Sequence, residues 1–210
     1  MAMPTRVLFV CMGNICRSPM AHGVFRHLVR QSGLEDVVTI ESAGTHSFHA
    51  GECPDRRAQA AATKRGYDIS DLTARKIVDA DFDDYDMILA MDWDNLSLLQ
   101  HQAAKRHHHK IQLLMRFAGE HESATIPDPY QGSPQAFDQA LDYIEDACSG
   151  LLEVARRRAT QVAAAPPGVS EAGERRSCDS RSRMSSQAGV DTCCAPVPGI
   201  GILDRADRDS

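Results

Sequence analysis

The sequence predicts an α/β domain built on a parallel sheet, and three observations carry that prediction. Val7–Val10 and Asp86–Met91 are short, almost wholly apolar runs, as expected of strands covered on both faces. Segments with a 3.6-residue apolar period stand between and after such runs, the alternation of a parallel α/β fold. The first run also passes through a glycine-containing turn into a helix start, where open parallel sheets present their binding crevice.

Taken in order, Val7–Val10 is the first strand. Pro19 opens the first helix, because Met20, Val24, Phe25, Leu28 and Val29 recur at spacings of three and four, and Ser32-Gly33 ends it. Val37–Ile40 reads as a second strand. The Ala- and Arg-rich stretch from Asp55 to Lys64 reads as a helix that stops at Gly66. Asp86–Met91 is the third strand, followed by a helix from Asp92 to Gln100, and Lys110–Met115 is the candidate fourth strand. A long helical period through Phe137, Leu141, Ile144, Cys148, Leu151, Leu152 and Ala155 places a helix over Pro134–Arg158. Residues 1–158 are therefore read as one domain. Residues 159–210 are read as a disordered tail: from Thr160 on they contain no aromatic residue and hold no sustained apolar period to offset the entropy of ordering.

Composition narrows the function classes. A formal net charge of −6 leaves no basic field to attract nucleic acid or an anionic membrane, so an anionic ligand must be held by local donors. No run of eighteen apolar residues is present, so no membrane insertion is expected. The apolar run within MAMPTRVLFV is too short for a signal peptide. The seven cysteines, Cys11, Cys16, Cys53, Cys148, Cys178, Cys193 and Cys194, are odd in number and irregular in spacing. That pattern suits free thiols in a reducing cytoplasm better than a disulfide framework. Cys11 and Cys16 are followed by no second Cys/His pair at finger spacing, which argues against zinc. Adjacent residues do not share a helix face, so His107-His108-His109 is read as a solvated loop and not a metal site.

The chemistry concentrates in Cys11-Met12-Gly13-Asn14-Ile15-Cys16-Arg17-Ser18. Successive backbone N–H groups in such a loop form an anion-binding concavity, and the following helix N-terminus adds partial positive charge. Gly13 lets backbone approach an anion, and Arg17 can fork two donors onto phosphoryl oxygens as lysine cannot. The same surroundings favour a cysteine thiolate, the nucleophile that attacks phosphorus. Ser18 can donate to that sulfur and later help it leave. Ester cleavage also needs an acid for the leaving oxygen. Asp128, held between Pro127 and Pro129 in IPDPYQG, is the candidate.

Read together, VLFVCMGNICRSPMAHGVF, IESAGT, PDRRA, DMILAMDWDN and IPDPY resemble, in that order, the low-molecular-weight protein tyrosine phosphatases. The resemblance covers about residues 5–157. It implies a three-layer α/β/α fold with a four-stranded parallel sheet, and a phosphate-binding loop between strand 1 and helix 1. It implies no metal and no cofactor, and hydrolysis of phosphotyrosine in protein substrates through a phosphocysteine intermediate. By the match, Cys11 is the nucleophile, Arg17 binds phosphate and Asp128 is the general acid. Asn14 matches the residue holding the loop's strained shape, Ser42 its hydrogen-bond partner, and Cys16 the second loop cysteine, which in many members forms a reversible disulfide with the nucleophile. Asp92 matches a supporting carboxylate, and Tyr130 an aromatic wall of the substrate slot.

Three positions depart from that pattern. Leu72 stands where a histidine often supports the loop, so another group must supply that support. Phe48 takes the place of the slot's usual tryptophan, and Gln131 that of a second tyrosine. Three rival readings follow from the same residues. Arsenate reduction would need a relay of further cysteines after the third strand, where ILAMDWDNLSLL has none. Phosphoarginine hydrolysis is associated with threonine at the position of Ile15, whose apolar side chain favours a flat phenyl ring. A phosphate-reading module without turnover usually lacks the nucleophile or the acid, and both are present here.

Overall fold

The computed structural model describes residues 4–164. Strands β1 (Thr5–Cys11), β2 (Val38–Gly44), β3 (Met87–Ala90) and β4 (Ile111–Leu113) form one parallel sheet in the order β2-β1-β3-β4. The register runs from Thr5 opposite Val38 to Cys11 opposite Gly44 on one side, and from Val7 opposite Met87 to Val10 opposite Ala90 on the other. The chain steps from β1 outward to β2, then returns past β1 to β3. The winding therefore reverses at β1, and the crevice beyond the carboxyl end of β1 is the switch point where such sheets bind ligands.

Strand periodicity divides the core into two halves. Val7 and Phe9 of β1, with Met87 and Leu89 of β3, face a layer made by α1 (Arg17–Gln31), α2 (Arg56–Lys64) and α5 (Pro134–Ala164). Leu8, Val10, Ile88 and Ala90 face the opposite layer, α3 (Asp79–Asp84) and α4 (Trp93–Gln102), through Phe82 and Leu99. All eight strand residues are buried, and each large one contributes roughly 1.5–3 kcal/mol by leaving water. Phe9 meets Phe25 of α1 edge to face at 5.7 Å, which ties β1 to the helix that follows the loop.

Several boundaries differ from expectation. β2 continues past Ile40 to Gly44, because Ser42, Ala43 and Gly44 pair with Phe9, Val10 and Cys11. β4 is shorter than Lys110–Met115, since the backbone tightens into a 3-10 turn over Leu114–Phe117. α3 carries no apolar period and was not anticipated. The histidine run is not a solvated loop but part of a 3-10 turn, Lys105–Lys110, in which His107 is buried, stacks on Phe82 at 6.5 Å and lies 3.2 Å from Asp83. Among the described residues no group of three or more His, Cys, Asp or Glu is gathered that could hold a metal ion, and no helix is long and apolar enough to cross a membrane. α5 runs to Ala164, past the expected end at Arg158. The rest of the expected tail lies outside the described residues.

Candidate active site

Loop 11–18 leaves β1 at Cys11 and enters α1 at Arg17, with its outer turn tied to the next two segments. Thr45 N–H donates to Cys11 O (2.8 Å), His46 N–H to Met12 O (3.0 Å) and Asp55 N–H to Ile15 O (2.8 Å). Gly44 is required at the end of β2, because a Cβ there would lie 2.7 Å from Met12 O. Asn14 is the one non-glycine residue among those described with positive φ, at 57°. Its amide holds it there. Asn14 Nδ2 donates to Ser18 Oγ (2.9 Å) and Ser42 Oγ (3.0 Å), and Oδ1 accepts from Arg75 N–H (2.9 Å). Those bonds offset a left-handed backbone that costs an L-residue roughly 1–2 kcal/mol. Leu72 packs against the core and gives the loop no polar contact. The polar support comes instead from the backbone of Arg75, whose guanidinium is fixed on Asp81 (2.9 Å) and Glu41 (2.9 Å).

The two loop cysteines have different surroundings. Cys11 Sγ lies 3.1 Å from Ser18 Oγ and accepts from Asn14 N–H at 3.3 Å. Because Ser18 Oγ already accepts from Asn14, its own proton is left for Cys11 or for Ala43 O at 3.2 Å. Cys16 is free and buried, and burial pushes its thiol far up, with Asp55, Cys11 and Asp128 adding to the effect. It stays protonated. Cys148 is also free, but lies wholly inside the α1–α5 interface, where burial pushes its thiol up likewise.

Arg17 points back across the loop with only 3% of its side chain exposed. Nη1 donates to Asp92 Oδ2 (2.6 Å) and Ile126 O (3.2 Å), while Nη2 donates to Asp128 Oδ2 (2.6 Å). Burial alone would weaken its hold on the proton, but Cys11, Asp128 and Asp92 outweigh it, so the charge is secure. Asp92 does two jobs, since its other oxygen accepts Asn95 N–H (2.7 Å) and caps α4. Asp128 stands at the mouth of the site with 44% of its side chain exposed, its Oδ1 accepting from Tyr130 N–H (3.1 Å).

These groups meet in a cleft of about 180 Å³. Cys11, Met12, Gly13, Ile15, Cys16, Arg17, Phe48, Asp128 and Tyr130 line it, while Asn14, Ser18 and Ser42 support it from behind. Phe48 is 73% exposed and stacks flat on His46 at 5.1 Å, which makes it a rim residue. Two neighbours were not anticipated. His49 lines the cleft opposite Tyr130 and is held by Glu52 (2.8 Å), and Arg57 lies between the rings of Tyr130 (5.6 Å) and Phe137 (4.9 Å). Arg57 belongs to the PDRRA segment, whereas no spacing in the sequence marks His49.

A cysteine and an arginine in a backbone-lined loop at the switch point of a parallel sheet, faced by an aspartate, define a cysteine-dependent phosphatase architecture. The model of the low molecular weight phosphotyrosine protein phosphatase family matches residues 6–162. A low molecular weight protein-tyrosine-phosphatase of Streptomyces coelicolor is 39% identical over 159 residues, which is 74% of this chain and 96% of that protein. The crystal structure of a protein tyrosine phosphatase from Entamoeba histolytica superposes with a TM-score of 0.72 at 35% identity, over 74% of this chain and 99% of that one. That of YfkJ from Bacillus subtilis gives 0.71 at 34% identity, over 75% and 98%. The chain belongs to the low molecular weight phosphotyrosine protein phosphatase family.

Proposed function

We propose that this protein is a cytoplasmic protein tyrosine phosphatase that hydrolyses phosphotyrosine through a phosphocysteine intermediate on Cys11. The observation that carries the reading is the convergence of Cys11, Arg17 and Asp128 on one cleft with an apolar rim. In the first step the Cys11 thiolate attacks phosphorus, the ester P–O bond breaks, and Asp128 gives its proton to the departing tyrosyl oxygen. Arg17 and the loop N–H groups hold the non-bridging oxygens; a phosphoryl oxygen takes over the Nη2 donor that Asp128 otherwise accepts. Asp92 and the Ile126 carbonyl keep Nη1 in place meanwhile. In the second step the Asp128 carboxylate takes a proton from water, the water oxygen bonds to phosphorus, and the S–P bond breaks. Ser18 O–H stabilises the returning thiolate. A reducing compartment suits an enzyme whose nucleophile must remain a thiol.

The slot favours a flat ring. Ile15, Phe48 and Tyr130 present apolar surface above the loop, which suits a flat phenyl ring. Reduction of arsenate would require a relay of further thiols after the third strand, and Cys148, the one cysteine past β3 among the described residues, is sealed under α1. The test is hydrolysis of p-nitrophenyl phosphate at mildly acidic pH, comparing wild type with Cys11→Ser. Turnover is expected to vanish while phosphotyrosine binding survives; turnover by Cys11→Ser would sink the mechanism.

A further inference from the structure

The segment that carries Asp128 runs from the 3-10 turn at Leu114–Phe117 to the start of α5 at Pro134. Its second half is pinned to the sheet, since Ile126 N–H donates to Met91 O (2.8 Å) and Ile126 O accepts from Arg17. Its first half is held differently. Gly119 N–H donates to Asp146 Oδ1 (2.8 Å), Glu120 N–H to Asp146 Oδ2 (3.0 Å) and His121 N–H to the same oxygen (2.8 Å). His121 Nδ1 closes the set at 2.9 Å, and the His121 ring packs edge-on against Tyr143, one turn earlier on α5, at 4.6 Å.

Asp146 lies on α5, with 8% of its side chain exposed, and does not line the catalytic cleft. Three consecutive main-chain donors on one carboxylate fix the path of the backbone itself, whatever side chains the segment bears. We infer that Asp146 is a positioning residue for the general acid: it clamps the near end of the acid-bearing segment to α5, so that Asp128 stands over Cys11 and Arg17. The inference rests on Asp128 being the acid. Burial pushes the Asp146 carboxyl up, but the Gly119 N–H, the His121 ring and the N–H groups of His121 and Glu120 outweigh it and hold it at about 2. The clamp therefore stays charged throughout the working pH range.

A displaced acid has a signature that a merely weakened fold lacks. Phenyl phosphate has a poor leaving group and needs its proton, whereas p-nitrophenyl phosphate has a good one and needs it little. In Asp146→Ala, kcat/KM for phenyl phosphate is expected to fall about tenfold, and for p-nitrophenyl phosphate less than about threefold. In an Asp128→Ala background the same substitution is expected to add no further selective loss. Equal falls on both substrates, or a selective fall that persists without Asp128, would overturn the clamp. If Asp128→Ala itself fails to separate the two substrates, the acid assignment has failed and the clamp with it. If Asp146→Ala does not fold, Asp146→Asn keeps the shape and one acceptor; it should show the same selectivity in weaker form, and its absence there is equally decisive.

Discussion

Two cysteines five positions apart in one loop show how much surroundings decide. Cys11 has a hydroxyl and a main-chain N–H on its sulfur, the contacts a thiolate needs. Cys16 is buried with acidic groups near it, so its thiol is pushed far up and carries no useful nucleophilicity. Alkylation of the native protein with iodoacetamide at neutral pH is therefore expected to modify Cys11 at least about tenfold faster than Cys16. Peptide mass mapping over time checks this; equal rates would show that the loop does not discriminate between its thiols. Asn14 makes the complementary point for the backbone. A residue type that tolerates φ of 57° is also the type whose amide can reach Ser18, Ser42 and the Arg75 N–H at once.

Helix α1 carries the loop at one end and a buried histidine within. His22 has an Nδ1 with no hydrogen-bond partner and only 8% exposure. Burial, with Arg26 adding to it, lowers its pKa from 6.5 to about 4, against the opposing pull of Asp71 and Glu41. The folded state thus holds the neutral ring. Above pH 6.5 neither state binds the proton and His22 leaves stability unchanged. As pH falls from 6.5 towards 4 the unfolded chain takes up a proton that the folded chain refuses, so stability drops, by up to roughly 3 kcal/mol from this one group. Urea unfolding at pH 7.5 and pH 5 should show the loss in wild type and a flatter dependence in His22→Leu. An identical pH dependence in both proteins would mean that the ring titrates as it does in the unfolded chain.

At the scale of the whole molecule, the winding order β2-β1-β3-β4 brings the loop, the Arg17 partners and the acid together beyond the carboxyl ends of the strands. Much of this was legible. β1, β3, α1 and α5 announce themselves because their apolar periods are complete within the element, and Cys11 and Arg17 are local to one loop. What was not legible depends on distant pairing. Ser42-Ala43-Gly44 has no strand signature and is extended because β1 lies beside it. α3 has six residues and four aspartates, and Asp81 both caps it, by accepting Val78 N–H, and holds Arg75 from the preceding segment. Asp92 and Asp128 lie 75 and 111 positions from the arginine they share, so the fork exists only once the sheet is wound. Asp146 reads as an ordinary helix-surface carboxylate until three N–H groups from another segment are found on it.

The covalent intermediate is the centre of the account, and Asp128→Ala should retain it long enough to be caught, because the residue that activates water is gone. Mixing that variant with p-nitrophenyl phosphate, quenching rapidly and mapping peptides by mass is expected to place one phosphoryl group on the peptide bearing Cys11, and none there in Cys11→Ser. A phosphoryl group on any other residue, or full turnover with no labelled cysteine, would contradict the account.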